Sequence, residues 1–300
     1  MRVLISGASG LVGTEVAKQL REQGHTPVLL VRREATHENE IEWNPANGSL
    51  PIDALEDIDA VVNLAGATTG RLPWTKDYKK QIIESRLDST RTLVDAMRIA
   101  RNKPTVFISG SASGIYGDRG DELLTEESSK GTGFLSDLAS QWEQEALKAP
   151  TEVRVVLVRT TMVMSRKLGA LGRLLPLLRL GIGGPLGSGK QWWAWISLVD
   201  EAAAIIHLIK TTSATGAYNL TAPEAATCAD IVHELGRQLH RPTLLKVPAF
   251  ALRLAFGEAA VELLLCSQKM TADRLLSTGF KFAHPTLKES AAWVVGSEVA

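Results

Sequence analysis
The chain has 300 residues, 45% of them hydrophobic, enough for a sizeable core in one large α/β domain or two smaller ones. Thirty-three basic residues balance thirty-three acidic ones, so net charge points to neither nucleic acid nor a membrane surface, and neither is expected as a partner. Cys228 and Cys266 lack C-x-x-C spacing and a matching histidine cluster, which argues against a disulfide framework or a structural zinc site.

In chain order, the pattern predicts a strand over 2–6, a helix over 11–22, and strands over 27–31 and 60–64. A long helical pattern covers 76–100. It is followed by a strand over 105–109, a helix closing at Glu143 and a strand over 153–159. Short continuous apolar strands alternating with helices argue for a parallel sheet covered on both faces. After Thr160 the rhythm changes to a glycine-rich stretch, LGIGGPLGSGK (180–190), then tryptophans at 192, 193 and 195, then mostly helix. Two units are expected, 1–160 and a smaller, mostly helical lobe over 161–300, with only the last few residues frayed. The N-terminal apolar run is too short for a signal peptide. The apolar stretch 168–186 is broken by Arg173, Pro176, Arg179 and glycines, so it is no membrane span, and a cytoplasmic setting is the expectation.

"ISGASGLVG" places Gly7, Gly10 and Gly13 between the first strand and the first helix. A pyrophosphate needs a tight turn, close backbone approach and a helix N-terminus with free N–H groups. The strand before and the helix after supply that context, and the fold expected is an α/β, Rossmann-type doubly wound parallel sheet. An NAD site usually carries an acidic residue at the end of the second strand, for the ribose hydroxyls. Here "LLVRRE" puts Arg32 and Arg33 there, and a guanidinium pairs with a 2′-phosphate that a carboxylate would repel. NADP(H) is the expected cofactor. Two solvated arginines beside Glu34 are the alternative.

The spacing G-x-x-G-x-x-G resembles the extended and atypical short-chain dehydrogenase/reductases. "VVNLAG" (61–66) resembles their N-x-A-G turn, and "FISGSASGIYG" (107–117) their fifth-strand motif, which aligns Ser111 with the catalytic serine. "ESRLDST" (84–90), "LGIGGPLGSGKQWWAWI" (180–196) and "VPAFALRLAFGE" (247–258) are similar to one subgroup, the epimerase family of atypical members, often labelled SulA-like cell-division inhibitors. Relatives commonly have W-I-H where this chain has Trp195-Ile196-Ser197. The resemblance implies cofactor contacts from Ser9, Leu11 and Val12 in the loop, Leu64, Ala65 and Gly66 in the turn, Gln81 and Arg86 on the long helix, and Val163. For Arg86 the alternative is a helix-surface arginine paired with Glu84 or Asp88.

Catalytic members of that superfamily carry a tyrosine and, four residues on, a lysine. Aligning Trp142-Glu143 with the motif puts Leu135 and Ala139 at those positions, or Phe134 and Leu138 if the register slips by one. Neither register has a proton to move. Tyr78, Tyr116 and Tyr218 are followed four residues later by Ile82, Gly120 and Ala222, so the pair lies nowhere else. Ser111 and Tyr116 are the remaining catalytic candidates, Tyr116 being either an acid or a structural aromatic. Lys130 is either a cation at the site or a solvated loop residue. The tryptophans at 192, 193 and 195 either wall an apolar slot, as does Trp74, or build the second lobe's core. His233 and His240 form no credible metal pair. Two readings follow: an NADP(H)-dependent oxidoreductase or epimerase-like enzyme with a non-standard proton donor acting on a small molecule, or a cofactor-binding protein without turnover.

Overall fold
The computed structural model describes residues 1–166 and 170–296; the residues expected to fray fall at 297–300, outside that range. In chain order its strands are β1 (Arg2–Ser6), β2 (Thr26–Val31), β3 (Glu40–Glu42), β4 (Ala60–Asn63), β5 (Val106–Ala112), β6 (Leu123–Leu124), β7 (Arg154–Thr160), β8 (Met162–Met164), β9 (Trp195–Ser197), β10 (Gly216–Leu220) and β11 (Lys269–Met270). The helices are α1 (Leu11–Glu22), α2 (Lys76–Ile99), α3 (Phe134–Ala146), α4 (Ala170–Arg179), α5 (Leu198–Lys210), α6 (Cys228–Leu239), α7 (Ala249–Phe256), α8 (Glu258–Ala260), α9 (Asp273–Ser277) and α10 (Leu287–Gly296).

Seven strands form one parallel sheet in the order β10-β7-β5-β4-β1-β2-β3, the doubly wound arrangement expected. Side chains alternate across each strand, so both faces must be apolar and covered. Val3, Ile5, Val62, Ile108 and Val158 point to the layer holding α1 and α5. Leu4, Val61, Phe107 and Leu157 point to the opposite layer, against Leu93, Val94 and Met97 of α2. The strand order reverses between β1 and β4, and the crevice beyond their C-terminal ends is where such sheets bind ligands.

Three features differ from the pattern-based expectation. β5 runs on through Gly110, Ser111 and Ala112, small residues with little apolar signal, because each still pairs with β7. β3 is three residues long and only half-buried, so it has no apolar run to detect. The seventh strand, β10, lies beyond residue 160, and its neighbour α5 packs against α1. The later lobe has its own core of Leu171, Leu175 and Leu178 from α4, Ile231 and Leu235 from α6, Ala291 from α10, and Trp193 and Trp195.

Candidate functional site
Two turns meet at the switch point. Gly7 sits at φ +70, and a Cβ there would lie 2.5 Å from the Leu64 carbonyl oxygen; a Cβ on Gly13 would lie 2.4 Å from the Gly7 carbonyl oxygen. No side chain fits either place. The backbone of the loop therefore lies directly on the Asn63–Gly66 turn, and the α1 N-terminus opens beside it. Gly10 caps that helix without a side-chain bond, and the first turn carries no acidic residue, so its N–H groups remain available to an anion. Ser9 and Gly10 are exposed at the lip, with Leu11 and Val12 half-buried behind them.

A buried polar knot fixes the two turns. The fully buried Asn63 accepts from Ser6 Oγ at 2.6 Å and donates to Thr90 Oγ1 at 2.8 Å, and Trp142 Nε1 reaches the same hydroxyl at 2.9 Å. One asparagine thus ties β1, β4, α2 and α3 together. Arg86 lies over the same turn. Its Nη1 donates to the carbonyls of Ala67 (2.9 Å) and Ile82 (3.1 Å), its guanidinium sits 5.2 Å from the Trp142 ring, and a Cβ on Gly66 would be 3.0 Å from its Cζ. Burial lowers its pKa to about 10, so it stays cationic, and it has no carboxylate partner. The alternative surface pairing does not occur, because Glu84 meets Lys80 and Asp88 meets Arg91. Gln81, five residues earlier and so roughly 140° around the helix, is exposed and away from this turn.

At the end of β2 the two arginines part company. Arg33 makes a two-pronged bond to Glu40, at 2.6 and 2.9 Å, which holds the Glu40 carboxyl down at about 2. Arg32 is exposed and makes no hydrogen bond or ion pair, so its guanidinium is uncommitted, while Arg33 is already tied to β3.

The two hydroxyls put forward for catalysis are not open. Ser111 is buried and donates to Glu143 Oε1 at 2.6 Å; Glu143 in turn takes Arg159 through two bonds of 2.8 and 3.0 Å. Tyr116 is fully buried among Ile115, Leu124, Ala139 and Met270. Its hydroxyl donates to Asn219 Oδ1 at 2.6 Å and accepts from Arg159 Nη1 at 2.8 Å. Burial raises its pKa against the pull of Arg159. Of the two readings open for Tyr116, acid or structural aromatic, the buried and doubly bonded hydroxyl fits the structural aromatic. Tyr78 and Tyr218 are buried as well, so no tyrosine faces a substrate.

Leu135 packs against the β5 end: a Cβ on Gly114 would meet Leu135 Cβ at 3.0 Å. Phe134 instead stacks edge-on against Trp74 at 5.2 Å, which favours Leu135 and Ala139 as the residues in the tyrosine and lysine positions. Lys130 pairs with Asp137 at the surface. Ser113, which the sequence reading passed over, begins the turn after β5; it is half-buried and its hydroxyl makes no hydrogen bond. A third serine in a motif already supplying Ser111 gave no separate signal. Glu262, from the chain after α8, was also missed. Its carboxylate accepts the backbone N–H groups of Phe134 (2.8 Å) and Leu135 (2.7 Å), capping α3 from 128 residues away.

Trp193 and Trp195 are core, and Trp192 is partly buried with its Nε1 on Asp121, so the tryptophan cluster builds the lobe and does not wall a slot. Val163 lies half-buried in β8, paired with Ile196. Among the described residues no group of His, Cys, Asp and Glu is placed to hold a metal. No helix among them is long and apolar enough to cross a membrane.

Residues 3–221 match the NAD dependent epimerase/dehydratase family, and residues 247–294 match a domain of unknown function, DUF1731. The chain belongs to the NAD dependent epimerase/dehydratase family. It is 39% identical over 292 residues to another member, the Epimerase family protein ML0860 of Mycobacterium leprae, covering 97% of this chain and 94% of that one. With the Epimerase family protein SDR39U1 of Mus musculus it shares 33% over 300 residues, covering 98% and 100%. A crystal structure of human epimerase family protein SDR39U1 (isoform2) with NADPH matches the fold with a TM-score of 0.91 at 31% identity, over 99% of each chain. The resemblance to atypical short-chain dehydrogenases of epimerase type therefore holds along nearly the whole chain.

Proposed function
We propose that this member of the epimerase family binds NADP(H) at the switch-point crevice and lacks a proton donor of its own in the tyrosine position. The observation that carries the cofactor reading is the open guanidinium of Arg32 at the end of β2, beside a loop whose Gly7 and Gly13 leave no room for a Cβ. The human relative crystallised with NADPH supports the same choice. When bound, the nicotinamide supplies or accepts a hydride. The chain's residues have narrower tasks. The loop and the α1 N-terminus bind the pyrophosphate, Arg32 selects the 2′-phosphate, and Arg86 offers a buried, uncompensated positive charge next to the Asn63–Gly66 turn. Val163, Leu64 and Ala65 give apolar walls.

Hydride transfer to a carbonyl needs a proton delivered to its oxygen, and assistance of that kind is worth roughly 10²–10⁴-fold. Ser111 and Tyr116 spend their hydroxyl hydrogens inside the protein. The reading favoured is therefore a dinucleotide-binding protein with slow or absent turnover. A second reading, an oxidoreductase or epimerase-like enzyme on a small-molecule substrate, rests on Ser113, whose uncommitted hydroxyl is free to meet a substrate oxygen. The test is a paired titration with NADPH and NADH, followed by quenching of tryptophan fluorescence. Tighter NADPH binding is expected; equal affinities would remove the cofactor assignment.

A further inference from the structure
The balanced net charge conceals a one-sided surface. Segments 170–190 and 239–257 contain Arg173, Arg179, Lys190, Arg241, Lys246 and Arg253 and not one Asp or Glu. They lie side by side in the fold: Leu186 bridges to Val247, Val247 N donates to the Pro185 carbonyl, a Cβ on Gly184 would touch Leu245, and one on Gly181 would touch Pro242. Arg173, Lys190, Arg241, Lys246 and Arg253 are exposed and have no ion pair or hydrogen bond through their side chains, unlike Arg33, Lys79 or Arg159 elsewhere.

The same two segments expose large apolar side chains. Leu180 is 72% exposed, Leu244 82%, Phe250 72% and Leu254 87%, joined by Leu177, Ile182 and Leu245. Phe250 and Leu254 stand four apart on α7, hence on one helix face. Single exposed leucines are ordinary; seven large apolar residues on two abutting segments form a patch. Apolar side chains interspersed with unpaired cations and free of acidic residues match the chemistry of a bilayer surface carrying anionic headgroups.

We propose that this face, formed by α4, the strands of chain around Pro185 and Val247, and α7, is a peripheral docking surface for an anionic phospholipid membrane. The apolar residues enter the headgroup boundary, and the five open cations meet lipid phosphates. The overall charge balance does not register this face, because the compensating acidic residues lie outside these two segments. The proposal is argued from these surface residues alone and does not depend on the cofactor reading.

Sedimentation of the full chain with vesicles tests this directly, comparing phosphatidylcholine alone with equal parts phosphatidylcholine and phosphatidylglycerol. Binding to the anionic vesicles that fades with added salt is expected, with little binding to the neutral ones. Lys246→Glu and Arg253→Glu should each weaken it about fivefold or more. Phe250→Asp and Leu254→Asp should each weaken it about tenfold or more. Both side chains are mostly exposed, so these variants keep the native circular dichroism. Ile99→Asp, exposed on α2 outside the patch, should change nothing. Equal binding to both vesicle types, no binding to either, or binding indifferent to these substitutions overturns the proposal. So does a concentration-dependent rise in mass by light scattering that Leu254→Asp abolishes without any vesicle binding, which would assign the face to a second copy of the chain.

Discussion

Ser111 Oγ donates to Glu143 Oε1 at 2.6 Å, and the same carboxylate oxygen takes Arg159 Nε at 2.8 Å. The serine at the motif's catalytic position is thereby an internal strut between β5, α3 and β7. Ser111→Ala is expected to cost about 1 kcal/mol of stability, the net worth of an ordinary hydrogen bond, because Glu143 keeps both of its bonds to Arg159. NADPH affinity should stay unchanged. Denaturant melts and cofactor titrations on the same preparations check both; lost turnover at unchanged stability would restore Ser111 to the chemistry.

Tyr116→Phe follows the same logic with a larger penalty. Removing the hydroxyl strands Asn219 Oδ1 in the buried interior and takes a partner from Arg159. A loss of about 1–3 kcal/mol is expected, with no effect on NADPH binding. Glu143→Ala should be worse, about 3–5 kcal/mol, because it leaves Arg159 as a buried charge whose pKa is held up against burial chiefly by Glu143. Thermal and urea unfolding measure these.

Arg32 and Arg33 are adjacent yet should answer differently. Arg32→Asp turns a charge-assisted contact into a repulsion and should weaken NADPH about a hundredfold while leaving NADH nearly unaffected. Arg33→Ala should leave the preference for NADPH intact. It should instead let the Glu40 carboxyl rise from about 2 toward its ordinary range, visible by NMR titration. The reverse pattern would move the phosphate contact to Arg33.

Much of the fold is legible in the sequence because its signals are local. The buried strands of the parallel sheet are continuous apolar runs, and the glycines at 7 and 13 declare a backbone contact. What stayed hidden depends on long-range pairing. Gly110 to Ala112 form strand only because β7 lies alongside, and β10 joins the sheet from well past residue 160. At the site, the missing Tyr–Lys pair could be read from residue types alone. Whether Ser111 and Tyr116 were free could not, because Glu143, Arg159 and Asn219 arrive from three other elements. Glu262 over the start of α3 had no sequence signal at all.

Glu201 offers a test by pH. It is fully buried on α5, accepts one bond from Thr160 Oγ1, leaves its other oxygen unpartnered, and is pushed up to about 8 by burial. Its folded-state pKa lies above its unfolded value, so the unfolded chain gives up the proton first. Stability therefore falls as pH rises from about 4.5 toward 8. Glu201→Gln should be as stable as the parent at pH 4 and more stable by roughly 3 kcal/mol at pH 7. Melting curves at several pH values check the sign; a gain that is the same at pH 4 and pH 7 would mean Glu201 is ionised in the fold.

Rapid-mixing single turnovers show whether the dinucleotide site proposed at the switch-point crevice lacks a built-in acid. The protein, saturated with NADPH, is mixed with aldehydes, ketones and nucleotide sugars, and nicotinamide absorbance is followed across pH. Tight NADPH binding is expected, with oxidation near the uncatalysed rate and no pH profile that tracks a protein group. Fast oxidation that is abolished by Tyr116→Phe or Ser111→Ala in folded protein would contradict it.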